Sequence, residues 1–281
     1  MLGITKRNFK YKQKEDLSLN DLEIKEMLAK HYSVNCNEDE RLIRDRAHNI
    51  EFITTNKYIE KYLKKGDKIL EIGAATGRYS LYYAKKGYEV EAVELLENNL
   101  KVLKSKIEPE MKINAAQANA KDLSRYKDET FNITLCLGPL YHLYTQEDRD
   151  IAIKEAIRVT KKGGIIYFAY ITNEAVILNY GLRKGNLLRL DKLLDEKCEV
   201  EDNPEEIFAV SRVDKFNKSM EKYKLENLHQ VAVDGLSQML ADKIEGLTQE
   251  EYEVWKKIHF KICERKDLIG YSSHVLYIAK K

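Results

Sequence analysis

The stretch Lys68 to Gly77, K-I-L-E-I-G-A-A-T-G, places an acid near the end of an apolar run and follows it with Gly73, Ala75 and Gly77, small residues at alternate positions. Such a loop lets a ligand come close to the backbone. Where the loop opens a helix, its exposed amides favour a negative group on that ligand. Two later segments offer polar groups of the same kind: Glu94 near the end of E-V-E-A-V-E-L (Glu89 to Leu95), and Asn119 in A-N-A-K-D-L (Ala118 to Leu123). A fourth segment, L-C-L-G-P-L-Y-H-L (Leu135 to Leu143), adds Tyr141 and His142, which could move a proton.

For these residues to meet, the elements carrying them must lie side by side. Short apolar runs alternate with helical patterns through the middle of the chain, which predicts an α/β fold with a parallel sheet covered on both faces. Strands are expected at Lys68 to Ile72, Glu89 to Leu95, Lys112 to Ala116, Phe131 to Leu137 and Ile165 to Ile171. Helices are expected from Arg78 to Lys86, stopping at Gly87, and from Asn98 to Lys106, with a third opened by Thr145 and Asp148 as a capping pair. The polar, helical stretch Asn173 to Arg212 reads as an insertion. Beyond it come a helix from about Ser211 with Asp214 as its capping partner, a strand Asn227 to Val233, two helices of which T-Q-E-E (Thr248 to Glu251) opens the second, and a terminal strand Ser273 to Ala279. Ahead of the sheet, Leu19, Leu22, Ile24, Met27 and Leu28 predict an amphipathic helix over Ser18 to Lys30.

Spacing discriminates between ligands. A dinucleotide fingerprint begun at Gly73 requires glycines where the chain has Ala75 and Arg78. An acid followed by glycines at every second position instead finds Glu71, Gly73, Ala75 and Gly77, with only the middle glycine replaced. On these motifs the chain resembles the class I S-adenosylmethionine-dependent methyltransferases of the small-molecule type, from about Ile69 to the C-terminus. The resemblance implies a Rossmann-like, mostly parallel seven-stranded sheet with helices on both faces, an N-terminal helical segment and helical insertions. It divides the chain into an N-terminal lid (1–60), a cofactor-binding core (61–172), an insertion or substrate cap (173–212) and the rest of the core (213–281) with a helical insertion at 236–270.

By the same resemblance, Glu71 holds the ammonium end of the methionyl moiety while the amides of Gly73, Ala75 and Gly77 approach its carboxylate. Glu94 takes the two ribose hydroxyls, Leu95 packs on the adenine, Asn119 and Ala120 meet its edge, and Leu137 lies beneath the reactive methyl. S-adenosylmethionine is the implied cofactor, S-adenosylhomocysteine the product and a small molecule the acceptor. His142 is the first candidate for a general base and Tyr141 the second, although either could simply fill the helix after the strand. His274 reads as a core histidine. Tyr32, Arg46 and His48 either face the site or form a charged helix face. G-P-L-Y differs from the N/D-P-P-Y/F tetrapeptide of amino-methylating DNA and protein enzymes. An RNA methyltransferase and a catalytically silent cofactor-binding protein remain as alternatives.

Composition narrows the partners. With 281 residues, 43% apolar, the chain can bury a sizeable core. Its 48 Lys and Arg against 46 Asp and Glu give a charge of +2, far from the excess of a dedicated nucleic-acid binder, so nucleic acid is not expected. The apolar run Ile165 to Ile171 is too short to span a bilayer, and no secretory segment follows the N-terminus; a cytoplasmic protein without a membrane partner, monomeric or homodimeric, is expected. Cys36, Cys136, Cys198 and Cys263 lie far apart, which predicts reduced, mostly buried thiols and no metal. The basic tail Thr5 to Lys14 reads as a solvated terminus.

Overall fold

A computed structural model describes residues 20–34, 38–202 and 206–281. The basic tail and Cys36 lie outside the described residues. Eight strands form one sheet: β1 (Lys68–Ile72), β2 (Glu89–Glu94), β3 (Ile113–Gln117), β4 (Phe131–Cys136), β5 (Thr160–Thr172), β6 (Val210–Ser211), β7 (Glu226–Ala232) and β8 (His274–Lys280). Their order is β3-β2-β1-β4-β5-β8-β7, with β6 paired to β5 alone. All pairings through β5 are parallel, and β8 runs antiparallel to both β5 and β7. The eighth strand is a departure from the expected seven: β6 holds only two residues, Val210 and Ser211, opposite Ile171 and Thr172, too few to leave a periodic signal.

The strands read as continuous apolar runs because both faces of the sheet are covered. Ile69, Ile133, Leu135 and Tyr167 pack on one face with Tyr58 and Ile59 of α2 (Arg46–Tyr62) and Tyr83 of α3 (Arg78–Lys85). Leu70, Ile72, Phe131 and Phe168 pack on the other with Ile153 and Ala156 of α5 (Gln146–Val159) and Phe216 and Met220 of α8 (Val213–Glu221). Between these lie α4 (Glu97–Ser105) and the short α6 (Asn173–Ala175) and α7 (Leu187–Leu190), with α9 (Ala241–Glu245) and α10 (Gln249–Ile262) completing the C-terminal part.

Helix starts follow local chemistry. Thr145 Oγ1 accepts from the Asp148 amide, and Thr248 and Glu251 form a reciprocal capping box. The expected cap at Ser211 does not form: Arg212 occupies that position with no side-chain cap, and Ser211 Oγ donates to the Arg212 carbonyl. Cys136 and Cys263 are buried as expected, whereas Cys198 is exposed. Among the described residues no helix is long and apolar enough to cross a membrane.

The chain progresses outward from β1 to β3, then returns to add β4 on the other side of β1. That reversal opens a crevice beyond the carboxyl ends of β1 and β4, where ligands of open α/β sheets bind.

Candidate active site

A pocket of about 1160 Å³, counted out to its open mouth, occupies this crevice. It gathers Glu71, Gly73, Ala75, Glu94, Leu95, Asn119, Ala120, Leu137, Tyr141 and His142, which the sequence spreads over four segments. Gly77, expected on the cofactor loop, stands behind the wall. Its φ is +88°, and a Cβ there would lie 2.7 Å from Leu103 Cγ, so it turns the loop into α3 against α4 rather than touching the pocket.

Each polar wall residue is held from below. Glu71 is buried at the end of β1, where its Oε2 accepts from the Ser80 amide at 2.8 Å and from the Ser80 hydroxyl. Burial pushes its pKa up to about 8, against the pull of Ser80. Since the unfolded value is near 4.5, the folded state binds the extra proton between these limits, and this contribution to stability is lost as pH rises through about 8. Glu71→Gln is therefore expected to remove that loss: the difference in melting temperature between variant and parent should grow in the variant's favour from pH 6 to pH 9.

Glu94 Oε2 accepts from the Ala75 amide and Oε1 from the Leu96 amide, each at 2.8 Å. A carboxylate has about four lone-pair sites, so acceptor capacity remains for a hydroxyl after both amides and the Asn99 side chain are served. The same contact makes the replaced glycine informative. Ala75 sits at φ +48°, the left-handed region, where a Cβ costs about 1 to 2 kcal/mol. Ala75→Gly relieves that strain at an entropic cost of about 0.5 to 1 kcal/mol. A net gain of up to about 1.5 kcal/mol is expected in urea unfolding. At Gly73, φ is +73° and a Cβ would lie 2.9 Å from Pro139 Cδ, so the loop and the segment after β4 close on each other as a cradle. Asn119 Oδ1 accepts from the Lys121 amide at 3.0 Å and keeps one lone pair.

The roof comes from ahead of the sheet. Asp21, Ile24, Leu28 and Tyr32 follow one another at helical spacing along α1 (Asp21–Val34) and line the pocket together. The expected apolar face is corrected at one residue: Leu22 is 64% exposed, whereas Ile24 and Leu28 line the pocket with Tyr32. Tyr32 Oη lies 2.7 Å from His142 Nε2, while His142 Nδ1 lies 3.1 Å from the Ile207 carbonyl. A carbonyl can only accept, so Nδ1 carries the proton and Nε2 receives the Tyr32 hydroxyl. Burial lowers the His142 pKa to about 4, which keeps the ring neutral. Tyr141 is committed differently, since its hydroxyl donates to the Leu137 carbonyl at 2.9 Å and burial raises its pKa.

Arg46 and His48 stand away from the pocket: Arg46 contacts Leu247, Gln249 and Tyr252, and His48 pairs with Asp45. Arg41 lines it instead, fixed by a two-point ion pair to Glu51 at 2.9 and 3.1 Å. Behind Glu51, His274 Nδ1 lies 2.9 Å from Asp234 and 3.5 Å from Glu51, a satisfied core histidine. Glu51, Asp234 and His274 converge closely enough to offer ligand atoms to an ion, but Arg41 already engages both Glu51 oxygens. Nothing in the spacing of the sequence pointed to Arg41, Glu38 or Tyr79, which also line the pocket.

Comparison with known proteins agrees with this fold. Residues 70–168 match the family model described as a methyltransferase domain. YqeM of Bacillus subtilis is 29% identical over 112 residues, 40% of this chain and 45% of that protein. The ubiquinone biosynthesis O-methyltransferase of Pseudomonas syringae pv. tomato is 28% identical over 125 residues, 44% of this chain and 53% of the other. The chain thus spans about half the length of these curated relatives. A crystal structure of an S-adenosylmethionine-dependent methyltransferase from Methanosarcina mazei superposes with a TM-score of 0.53 at 21% identity, covering 80% of this chain and 96% of that one. Residues 70–168 thus match a methyltransferase domain, and the sheet has the Rossmann-like fold seen in the Methanosarcina mazei structure.

Proposed function

We propose that this protein transfers a methyl group from S-adenosylmethionine to a nucleophilic atom of a small-molecule acceptor. The observation that carries the reading is the junction, in one covered pocket, of the Glu71–Gly73–Glu94 corner with the Tyr32–His142 pair. When bound, S-adenosylmethionine supplies a methyl on a sulfonium, itself a good leaving group. Glu71, the amides around Gly73, Glu94, Leu95, Asn119, Ala120 and Leu137 are the residues that would hold it, and the buried anionic or anion-capable groups suit its ammonium and its diol.

The chain's own tasks are alignment, exclusion of water and removal of one proton. Alignment of this kind is worth up to roughly 7 to 11 kcal/mol in favourable cases. The α1 roof keeps water out. For an acceptor that arrives protonated, its proton passes to Tyr32 Oη as the Tyr32 proton passes to His142 Nε2, and the Ile207 carbonyl holds the resulting imidazolium through Nδ1–H. Tyr141 acts as a positioning residue, bracing the turn that carries His142 through its bond to Leu137.

The reading is tested by offering the protein isotopically labelled methyl donor with a panel of small amines, phenols, thiols and carboxylates, and in parallel with total RNA. Label in a small acceptor supports it. Label in RNA reassigns the acceptor, and cofactor binding with no transfer to any of these makes the domain a silent binding protein.

A further inference from the structure

Past β5 the chain leaves the sheet at the same edge as the cofactor loops and builds a helical hairpin. Its first arm is the π-helical segment Val176–Arg183, its second α7. The turn is tightly made: Gly185 has φ +74°, the Asn186 amide donates to the Gly181 carbonyl at 2.8 Å, and Asn186 Nδ2 donates to the Tyr180 carbonyl at 3.0 Å. Leu190, 2% exposed, and the buried Gly181 anchor it, and a Cβ at Gly181 would fall 2.5 Å from Leu190 Cδ2. The tip is therefore held in shape by its base and contributes nothing to the core itself.

That tip is turned outward. From Leu182 to Arg189 every residue but Asn186 is exposed, with Leu182 at 63%, Leu187 at 49% and Leu188 at 87%. Arg183, Lys184 and Arg189 stand among these leucines, and the segment L-R-K-G-N-L-L-R contains no acid. Arg183 reaches Asp242 at 3.4 Å and Arg189 reaches Glu206 at 2.7 Å, whereas Lys184 forms no ion pair among the described residues. The Arg183 contact brings α9 alongside, two residues from Leu240, itself 42% exposed.

We propose that this tip docks on an anionic lipid surface. Leucines exposed singly need no explanation, but three on one rigid turn with basic neighbours match the chemistry of interfacial segments, whose apolar side chains enter the acyl boundary while cations meet the headgroups. Long basic side chains also reach the headgroups while their stems lie along apolar surface. A protein partner fits less well: arginines such as Arg183 and Arg189 are common in protein interface cores, but lysine is depleted there and aromatic residues are enriched, and the tip displays Lys184 and no exposed aromatic. The contact is peripheral, so it revises the expectation of no membrane partner without requiring a span. It would seat the catalytic edge of the sheet beside the bilayer.

Co-sedimentation of the full chain with vesicles of phosphatidylcholine alone, and with phosphatidylglycerol added, tests this. Binding to the anionic vesicles only is expected, weakening with salt. Leu187→Glu with Leu188→Glu, and separately Arg183→Glu with Lys184→Glu, are each expected to reduce it at least about tenfold, with the thermal melt and S-adenosylhomocysteine binding unchanged. No binding by the parent protein, equal binding to both vesicle types, or undiminished binding by the folded leucine variant would each overturn the proposal. Self-association that Leu188→Glu abolishes, without vesicle binding, would assign the patch to a second copy of the chain instead.

Discussion

Replacing Glu94 with alanine is expected to weaken S-adenosylhomocysteine binding at least about tenfold, the largest effect of any single substitution on affinity. Glu94 is 5% exposed and does two jobs at once. Through Oε2 and Oε1 it fixes the Ala75 and Leu96 amides, which shapes the loop, and its remaining acceptor capacity stands at the end of β2, where a ribose diol could use it. Removal leaves two amides without their partner, at a cost of about 1 to 3 kcal/mol each where they stay dry. Glu94→Gln keeps the volume and one acceptor oxygen, so it should fall between alanine and the parent. Calorimetric affinities and urea midpoints measured on all three separate lost binding from lost stability. Unchanged affinity in a folded Glu94→Ala protein would remove Glu94 from the ribose site.

The largest effect on turnover is expected at the Tyr32–His142 pair. Once a protonated acceptor has been found, His142→Gln should lower kcat by roughly a hundred to ten thousandfold. Tyr32→Phe should lower it in the same direction, because the proton then loses its path between acceptor and ring. Neither side chain is among the groups assigned to the cofactor, so S-adenosylhomocysteine affinity should stay within about twofold. The pH profile carries the sign of the burial effect. His142 has its pKa lowered to about 4, so Nε2 remains available above that value and activity falls as pH drops through it. A parent-like kcat in His142→Gln would reduce the histidine to a bracket for the Ile207 strand entry, and alignment alone would carry the reaction.

The fold was legible where the physics is local. Lys68 to Ile72 and Phe131 to Cys136 declare themselves as strands because both faces of the sheet are covered, and Thr145 and Thr248 mark helix starts because a cap needs only a residue three positions on. The meeting of Glu71, Gly73, Ala75 and Glu94 in one pocket was legible for a related reason: they sit where strands end, and strand ends can be read from the apolar runs that precede them. The roof was not. Tyr32 meets His142 across 110 residues, and Arg41, Glu51, Asp234 and His274 meet from four separate elements, so no spacing encodes either contact. For α1, apolarity alone selected a stripe with Leu22, while the inward face mixes Asp21 and Tyr32 with Ile24 and Leu28 because it lines a polar cavity rather than a core. Gly77 is a motif residue that confers geometry on the loop and does not line the pocket.

All of these readings depend on the corner between β1, β2 and β4 accepting S-adenosylmethionine rather than a dinucleotide. Calorimetric titration of the full chain with S-adenosylhomocysteine, with NAD run in parallel on the same preparation, measures that directly. Micromolar binding of the first and none of the second is the predicted result. Binding of NAD, or of neither, would contradict the account.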